Sequence, residues 1–310
     1  MMNYEDQFSA LALPALPEKR HNWLRPIAGL RAGQPVCANH NCEHRLPLWN
    51  GVIGRVQGVL TNTGWFCGPD CFERTLTEQL FSYLRREPAP EPTALHRMPI
   101  GLLLLERGEI TSQQLQESLL LHKASGLRMG DCIRRITGAP ESLITTAVAT
   151  QWSCPVFPLP SIDSSLARMI PLALLERYHM LPVHLGHFGK KMYIGFAQGI
   201  DYSALYGIEQ LMDCETKPCT IASSAWNEIV EQRQRGQVWD DVVIESRASA
   251  PEIAHMTRSY AQQIEATQIR YALVGDYIWV RILGRTTMNL LYHRHRREGS
   301  EESRLKKALP

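Results

Sequence analysis

The sequence lacks a charge excess, a long apolar run and a dense cysteine framework. Its 310 residues carry 33 Lys plus Arg against 31 Asp plus Glu, a formal net charge of +2, so no strongly basic nucleic-acid surface is expected. No apolar stretch approaches the roughly 20 residues of a membrane helix, and Met1 is not followed by the charged and apolar regions of a signal peptide. The densest run, Ile100 to Leu105, is broken by Glu106 and Arg107. These absences predict a cytoplasmic protein with no membrane span and no nucleic-acid partner. Eight cysteines in a chain this long do not make a disulfide scaffold. Cys132, Cys154, Cys214 and Cys219 are scattered among apolar neighbours and read as core. What is present is ordinary globular composition, 44% hydrophobic and 21% charged, at a length that suits two or three domains.

Breaks in composition divide the chain. Arg85-Arg86-Glu87-Pro88-Ala89-Pro90-Glu91-Pro92 cannot continue a helix and marks a linker over 86–96. Helical periodicity runs from Met98 to about Thr150. A weaker break at Pro155 to Ser165 precedes strands at Leu181–Leu185 and Met192–Phe196 and helices at Tyr202–Met212 and Ala225–Arg233. After a third break near Gln234 to Asp241, a helix is expected over Pro251–Ile264, then strands over Ile269–Leu273 and Tyr277–Leu283. The charged tail over 293–310 reads as disordered.

The other four cysteines form two close pairs, Cys37-Ala-Asn-His-Asn-Cys42 and Cys67-Gly-Pro-Asp-Cys71. Two local pairs separated by a loop suit the tetrahedral thiolate coordination of a structural Zn2+. Between them a hairpin is expected, Val52 to Leu60 and a turn at Thr61-Asn62-Thr63, with Trp65-Phe66 leading back to the metal. Cys71 then opens an amphipathic helix to about Leu84, with Phe72, Leu76, Leu80 and Tyr83 on one face. A knuckle, a hairpin and a helix bearing the last ligand resemble a treble-clef zinc finger, placed at about 35–85 within an N-terminal region 1–85. His40 and His44 stand as alternative ligands.

The middle region repeats itself. Ile100-Gly101 aligns with Met129-Gly130, and then Leu104 with Ile133, Leu115 with Ile144, Ser118 with Ala147 and Leu119 with Val148. Each unit reads as a short helix, a turn at Gly108-Glu109 or Thr137-Gly138, and a second helix started by Thr111 or Pro140-Glu141, giving a four-helix unit. Arg128-Met129-Gly130, Ile133, Leu143-Ile144, Ala147-Val148 and Gln151 resemble the second tandem motif of the MshEN-type N-terminal domain of type II secretion and type IV pilus assembly ATPases. Ile100-Gly101, Leu104-Leu105, Gly108, Leu115 and Leu119 resemble the first. Ile170-Pro171, Tyr178, Leu181-Pro182-Val183, Met192 to Ala197 and Ile208 to Met212 are similar to the α/β subdomain that completes it, so the resemblance spans residues 97–235.

Some members of that family bind cyclic di-GMP, and the resemblance implies a site at Arg97, Gly101, Leu104, Arg128, Gly130, Ile133 and Gln151. An arginine and a glutamine can read a guanine edge, and a glycine at a helix start admits backbone amides to a phosphate. The first motif departs from the pattern. Pro99 stands where it has Arg and His122 where it has Gln, with Arg97 two residues upstream as the substitute. In the second motif, Thr137 takes a Gly position and Gly138 follows it.

Residues 242–292 look like the domain that precedes the motor in the same ATPases, although Thr267-Gln268-Ile269-Arg270 replaces its Ser-Asp-Ile-His stretch. The short stretch after Gly284 has no room for a nucleotide-binding motor, and Gly186-His187-Phe188-Gly189-Lys190-Lys191 has the wrong spacing for a P-loop and reads as a hairpin turn. No nucleophile elbow or metalloprotease pattern appears. The expectation is a multidomain α+β chain. It has a small zinc module, a four-helix tandem-repeat unit with an α/β subdomain, and a small C-terminal α/β remnant. Its expected role is a non-catalytic regulator or adaptor that senses cyclic di-GMP and acts on a secretion or pilus machinery protein, in the cytoplasm beside an inner-membrane machine. The alternative is a structural protein–protein interaction module with no nucleotide ligand.

Overall fold

The computed structural model describes residues 36–45, 58–85, 97–158, 162–186, 190–236 and 241–294. The expected linker at 86–96, the tail beyond 294, the first part of the expected hairpin strand at 52–57 and the expected turn at 187–189 lie outside them. In chain order the elements are β1 (Val59–Thr61), β2 (Gly64–Phe66), α1 (Pro69–Arg85), α2 (Ile100–Glu106), α3 (Ser112–Ser125), α4 (Met129–Thr137) and α5 (Glu141–Trp152). A 3-10 helix, Ser164–Met169, precedes α6 (Leu172–Tyr178), β3 (Met180–Gly186), β4 (Lys191–Phe196), α7 (Tyr202–Met212), β5 (Glu215–Thr220) and α8 (Ser223–Arg235). The last elements are β6 (Asp241–Ile244), α9 (Ala250–Gln263), β7 (Gln268–Val274), β8 (Tyr277–Leu283) and β9 (Thr287–His293). The fold is mixed α+β, with two sheets among the described residues. Among the same residues no helix is long and apolar enough to cross a membrane.

The chain divides into two compact units. In the described residues 97–236, α2 to α5 carry the repeat. Pro99 and Arg128 are the N-caps of α2 and α4, and Thr111 and Pro140 those of α3 and α5, so both pairs sit 29 residues apart. Thr111 makes a full capping box with Gln114, which fixes the start of α3. Leu104, Ile110, Leu115, Ile133 and Ala147 form the core of the four helices. Behind them lies a sheet in the order β3-β4-β5, antiparallel then parallel. The parallel pair requires the crossover that α7 provides. Glu141, at the start of α5, accepts from the backbone N–H (3.0 Å) and hydroxyl (2.6 Å) of Ser224. It thereby caps α8, whose own N-cap Ala222 has no side chain to do so.

The second unit joins segments from both ends of the described chain. Its sheet runs β2-β1-β7-β8-β9-β6, with β1 parallel to β7 through Leu60↔Gln268 and Thr61↔Ile269. Phe66, Phe72, Leu76 and Leu80 share one core with Ile253, Ala254, Ile269, Tyr271 and Val280. Arg258 on α9 bridges Asp70 (2.7 Å) and Glu73 (2.6 Å) on α1. Asn62 in the β1–β2 turn donates to the Tyr271 carbonyl at 2.9 Å, and the Tyr271 hydroxyl donates to Gln79. Sequence reading treats 35–85 and 242–292 as separate domains, but their strands lie in one sheet. A three-residue strand paired in parallel to a distant one leaves no local pattern to read. The strands β5, β6 and β9 also lie outside the sequence expectation, and β9 extends to His293, the first residue of the tail expected to be disordered.

Candidate functional site

The cysteine cluster is built from two tight turns. Val36 and Arg45 form an antiparallel bridge, Cys37 N–H donates to His44 O and Cys42 N–H to Asn39 O, both at 2.9 Å, and these bonds turn the two thiols inward. The β1–β2 hairpin brings in the second pair. At Gly64 the backbone has φ +141, and a Cβ would come 2.9 Å from that of Ala38, so only glycine lets the hairpin lie against the knuckle. Ala38 N–H then donates to Trp65 O at 2.8 Å. Cys67 follows β2, and Cys71 sits in the first turn of α1, which begins two residues before the expected start.

The Sγ atoms of Cys42 and Cys67 are 3.6 Å apart and those of Cys67 and Cys71 3.7 Å. All four lie within 4.8 Å of one another, a group that can hold a metal ion. Thiolates at a Zn–S distance near 2.3 Å in a tetrahedron stand about 3.8 Å apart, so the spacing fits that donor set. His40 and His44 are exposed and stand outside the group. Burial, followed by the neighbouring Cys42 thiol, pushes the Cys67 and Cys71 thiols up, while the backbone N–H of His44 pulls Cys42 down. A dication among them would favour the deprotonated form of all four. Of the scattered cysteines, Cys132, Cys214 and Cys219 are buried and Cys154 half-buried.

In the tandem repeat, the structure sorts the expected ligand residues by depth. Leu104 and Ile133 are both 0% exposed, so they build the core beneath the surface rather than the surface itself. Gly101 and Gly130 occupy equivalent contacts: a Cβ at Gly101 would come 2.5 Å from Leu115 Cδ1, and one at Gly130 2.7 Å from Ile144 Cγ2. Each glycine therefore lets the two helices of its own repeat approach closely. Arg128 is exposed at the start of α4. Burial, together with the Arg128 charge, holds the His179 imidazole below its ordinary range, and His179 stacks on Trp226 with centroids 4.8 Å apart.

Gln151 donates from Nε2 to Met98 O at 2.9 Å. His122, the matching residue of the first repeat, donates from Nδ1 to Leu127 O at 2.5 Å. Both partners of each bond are displaced by the same 29 residues, so the start of each repeat is fastened to the end of the other. Arg97 lies with its guanidinium carbon 3.5 Å from the centroid of the Trp152 ring. Sequence reading does not single out Trp152, and its one signal is its place directly after Gln151.

No family model matches the sequence, and no curated protein matches it. Among solved structures, the chain is similar to MshE solved with cdg, at 23% identity and a TM-score of 0.37, covering 44% of this chain and 99% of that one. It is also similar to two crystal forms of the N-terminal domain of XpsE, each at 17% identity. Their TM-scores are 0.33 and 0.27, covering 46% and 47% of this chain and 97% and 98% of those.

Proposed function

We propose that this chain is a non-catalytic regulatory or adaptor protein of a type II secretion or type IV pilus-like system. Residues 97–151 receive cyclic di-GMP, and Cys37, Cys42, Cys67 and Cys71 hold a structural Zn2+. The observation that carries the nucleotide reading is the exchange of equivalent bonds between repeats, Gln151 to Met98 and His122 to Leu127. It supports two related corners on one small unit, and a two-fold symmetric dinucleotide has two related halves to offer them. Arg128, exposed at one corner, supplies the charged donors that a guanine or a phosphate needs. On this reading the protein works in the cytoplasm beside an inner-membrane machine. The zinc assignment rests on sulfur spacing and on a donor set of four thiols.

Calorimetric titration of the full chain with cyclic di-GMP tests the ligand, with saturable binding expected and Arg128→Ala expected to abolish it. A second reading, an interaction module without a nucleotide, has its own support. Gln151 and His122 already bond backbone carbonyls, and the two motif glycines face side chains. No heat at millimolar ligand would favour that reading.

A further inference from the structure

The two repeats present equivalent faces to different surroundings. In the second repeat, Asp131 and Val148 line one crevice with Thr220 and Ser223 of the α/β subdomain, and Ala149 beside them is buried. The matching residues, 29 positions earlier, are Leu102, Leu119 and Leu120. They are 49%, 42% and 68% exposed. The first-repeat face thus carries leucine at positions 102 and 120, where its covered equivalent has Asp131 and Ala149. A single exposed leucine is ordinary, but three on one face of a small unit, more apolar than the buried counterpart of that face, mark a contact surface.

The charges around Leu120 say what fits there. Along α3, Gln113, Glu117, Leu120 and Ala124 are exposed and recur at three- and four-residue spacing, so they share one stripe. Glu117 and Lys123 stand three residues on either side of Leu120. That separation is too large for a pair within one helix, and Glu117 accepts instead from Gln113 Nε2 at 2.9 Å. With a second α3 laid antiparallel on the first and the two-fold axis passing at Leu120, Glu117 of each copy comes level with Lys123 of the other. A parallel pairing would set like charges together. A face that complements itself under a two-fold rotation is what a symmetric dimer requires. We infer that the first-repeat face receives a second copy of this chain, through an antiparallel α3–α3 contact centred on Leu120 and flanked by Leu102 and Leu119. This contact is independent of the nucleotide and zinc readings.

Sedimentation equilibrium of the full chain over a concentration series tests it, with a reversible shift from one chain toward two expected. Leu120→Glu should weaken dimerisation by roughly 100-fold or more, because the side chain is lost from both copies at the centre of the contact. Its melting temperature in dilute solution should not change. Glu117→Lys and Lys123→Glu should each weaken the dimer about tenfold, since each sets like charges level at two symmetric places, and the two combined should restore it. Should Leu120→Glu fail to fold, Leu120→Gln provides the same readout. A wild type that stays monomeric to millimolar concentration would overturn the inference and leave the leucine face to a different protein. A dimer indifferent to Leu120 and to the single charge reversals would also overturn it, by placing the interface elsewhere. Failure of the double reversal to restore a dimer that both single reversals weaken would overturn the antiparallel arrangement.

Discussion

Gln151 reaches back across the four-helix unit to the carbonyl of Met98, and its bond is reproduced by His122 on Leu127. An amide and an imidazole thus fill one structural role at two equivalent places. The shared requirement is a single N–H donor at the end of the second helix of each repeat. It satisfies a carbonyl of the segment that leads into the first helix of the other.

His122→Gln should consequently be close to neutral for stability. Gln151→Ala and His122→Ala should each cost about 0.5 to 1.5 kcal/mol, the net worth of one hydrogen bond. Urea denaturation of the three variants measures this, and a destabilisation by His122→Gln as large as that by His122→Ala would refute the equivalence.

Gly130→Ala should destabilise by about 1 to 3 kcal/mol through overpacking against Ile144. Combining it with Ile144→Leu, which removes the Cγ2 that lies 2.7 Å from where the new methyl group would stand, should cost less than the two changes added separately. Strict additivity in a double-mutant cycle would show that the contact does not matter.

Cys67→Ser should remove the metal and loosen more than the knuckle. The hairpin carrying Cys67 pairs with β7, and α1 shares its core with α9. Binding a structural zinc is worth on the order of 10 kcal/mol, so hydrogen exchange should accelerate in Ala250–Gln263 as well as in Pro69–Arg85. Elemental analysis of the wild type should give about one zinc per chain. Metal-free wild type with a protected α1 would sink the zinc reading, and acceleration confined to α1 would sink the coupling.

The Arg258 guanidinium, followed by His255, holds the Glu73 carboxyl below its ordinary range despite some opposing burial. A depressed folded-state value means that the carboxylate's contribution is complete above the unfolded value, near 4.3, and is lost as pH falls through the lower folded value. Acid titration of stability should show this loss below about pH 4, and Glu73→Gln should flatten that limb while lowering stability at neutral pH. An unchanged acid limb in the variant would count against the pairing.

Two parts of this protein were legible in its residues because they are local. The cysteine pairs declare themselves by spacing, and the repeat declares itself by apolar positions that return at a constant offset, from Leu104 to Ile133 and from Leu115 to Ile144. Capping and turn chemistry at Gly108, Thr111 and Gly138 then placed the helices. The tertiary structure decided what depends on distant encounters. The parallel pairing of Leu60 with Gln268 merged two apparent domains into one, and the loop after β4 put Gly199 under Trp152 and so put Trp152 under Arg97. Periodicity encodes which face of an element is buried, but the identity of the surface that buries it is set by how all the elements pack at once.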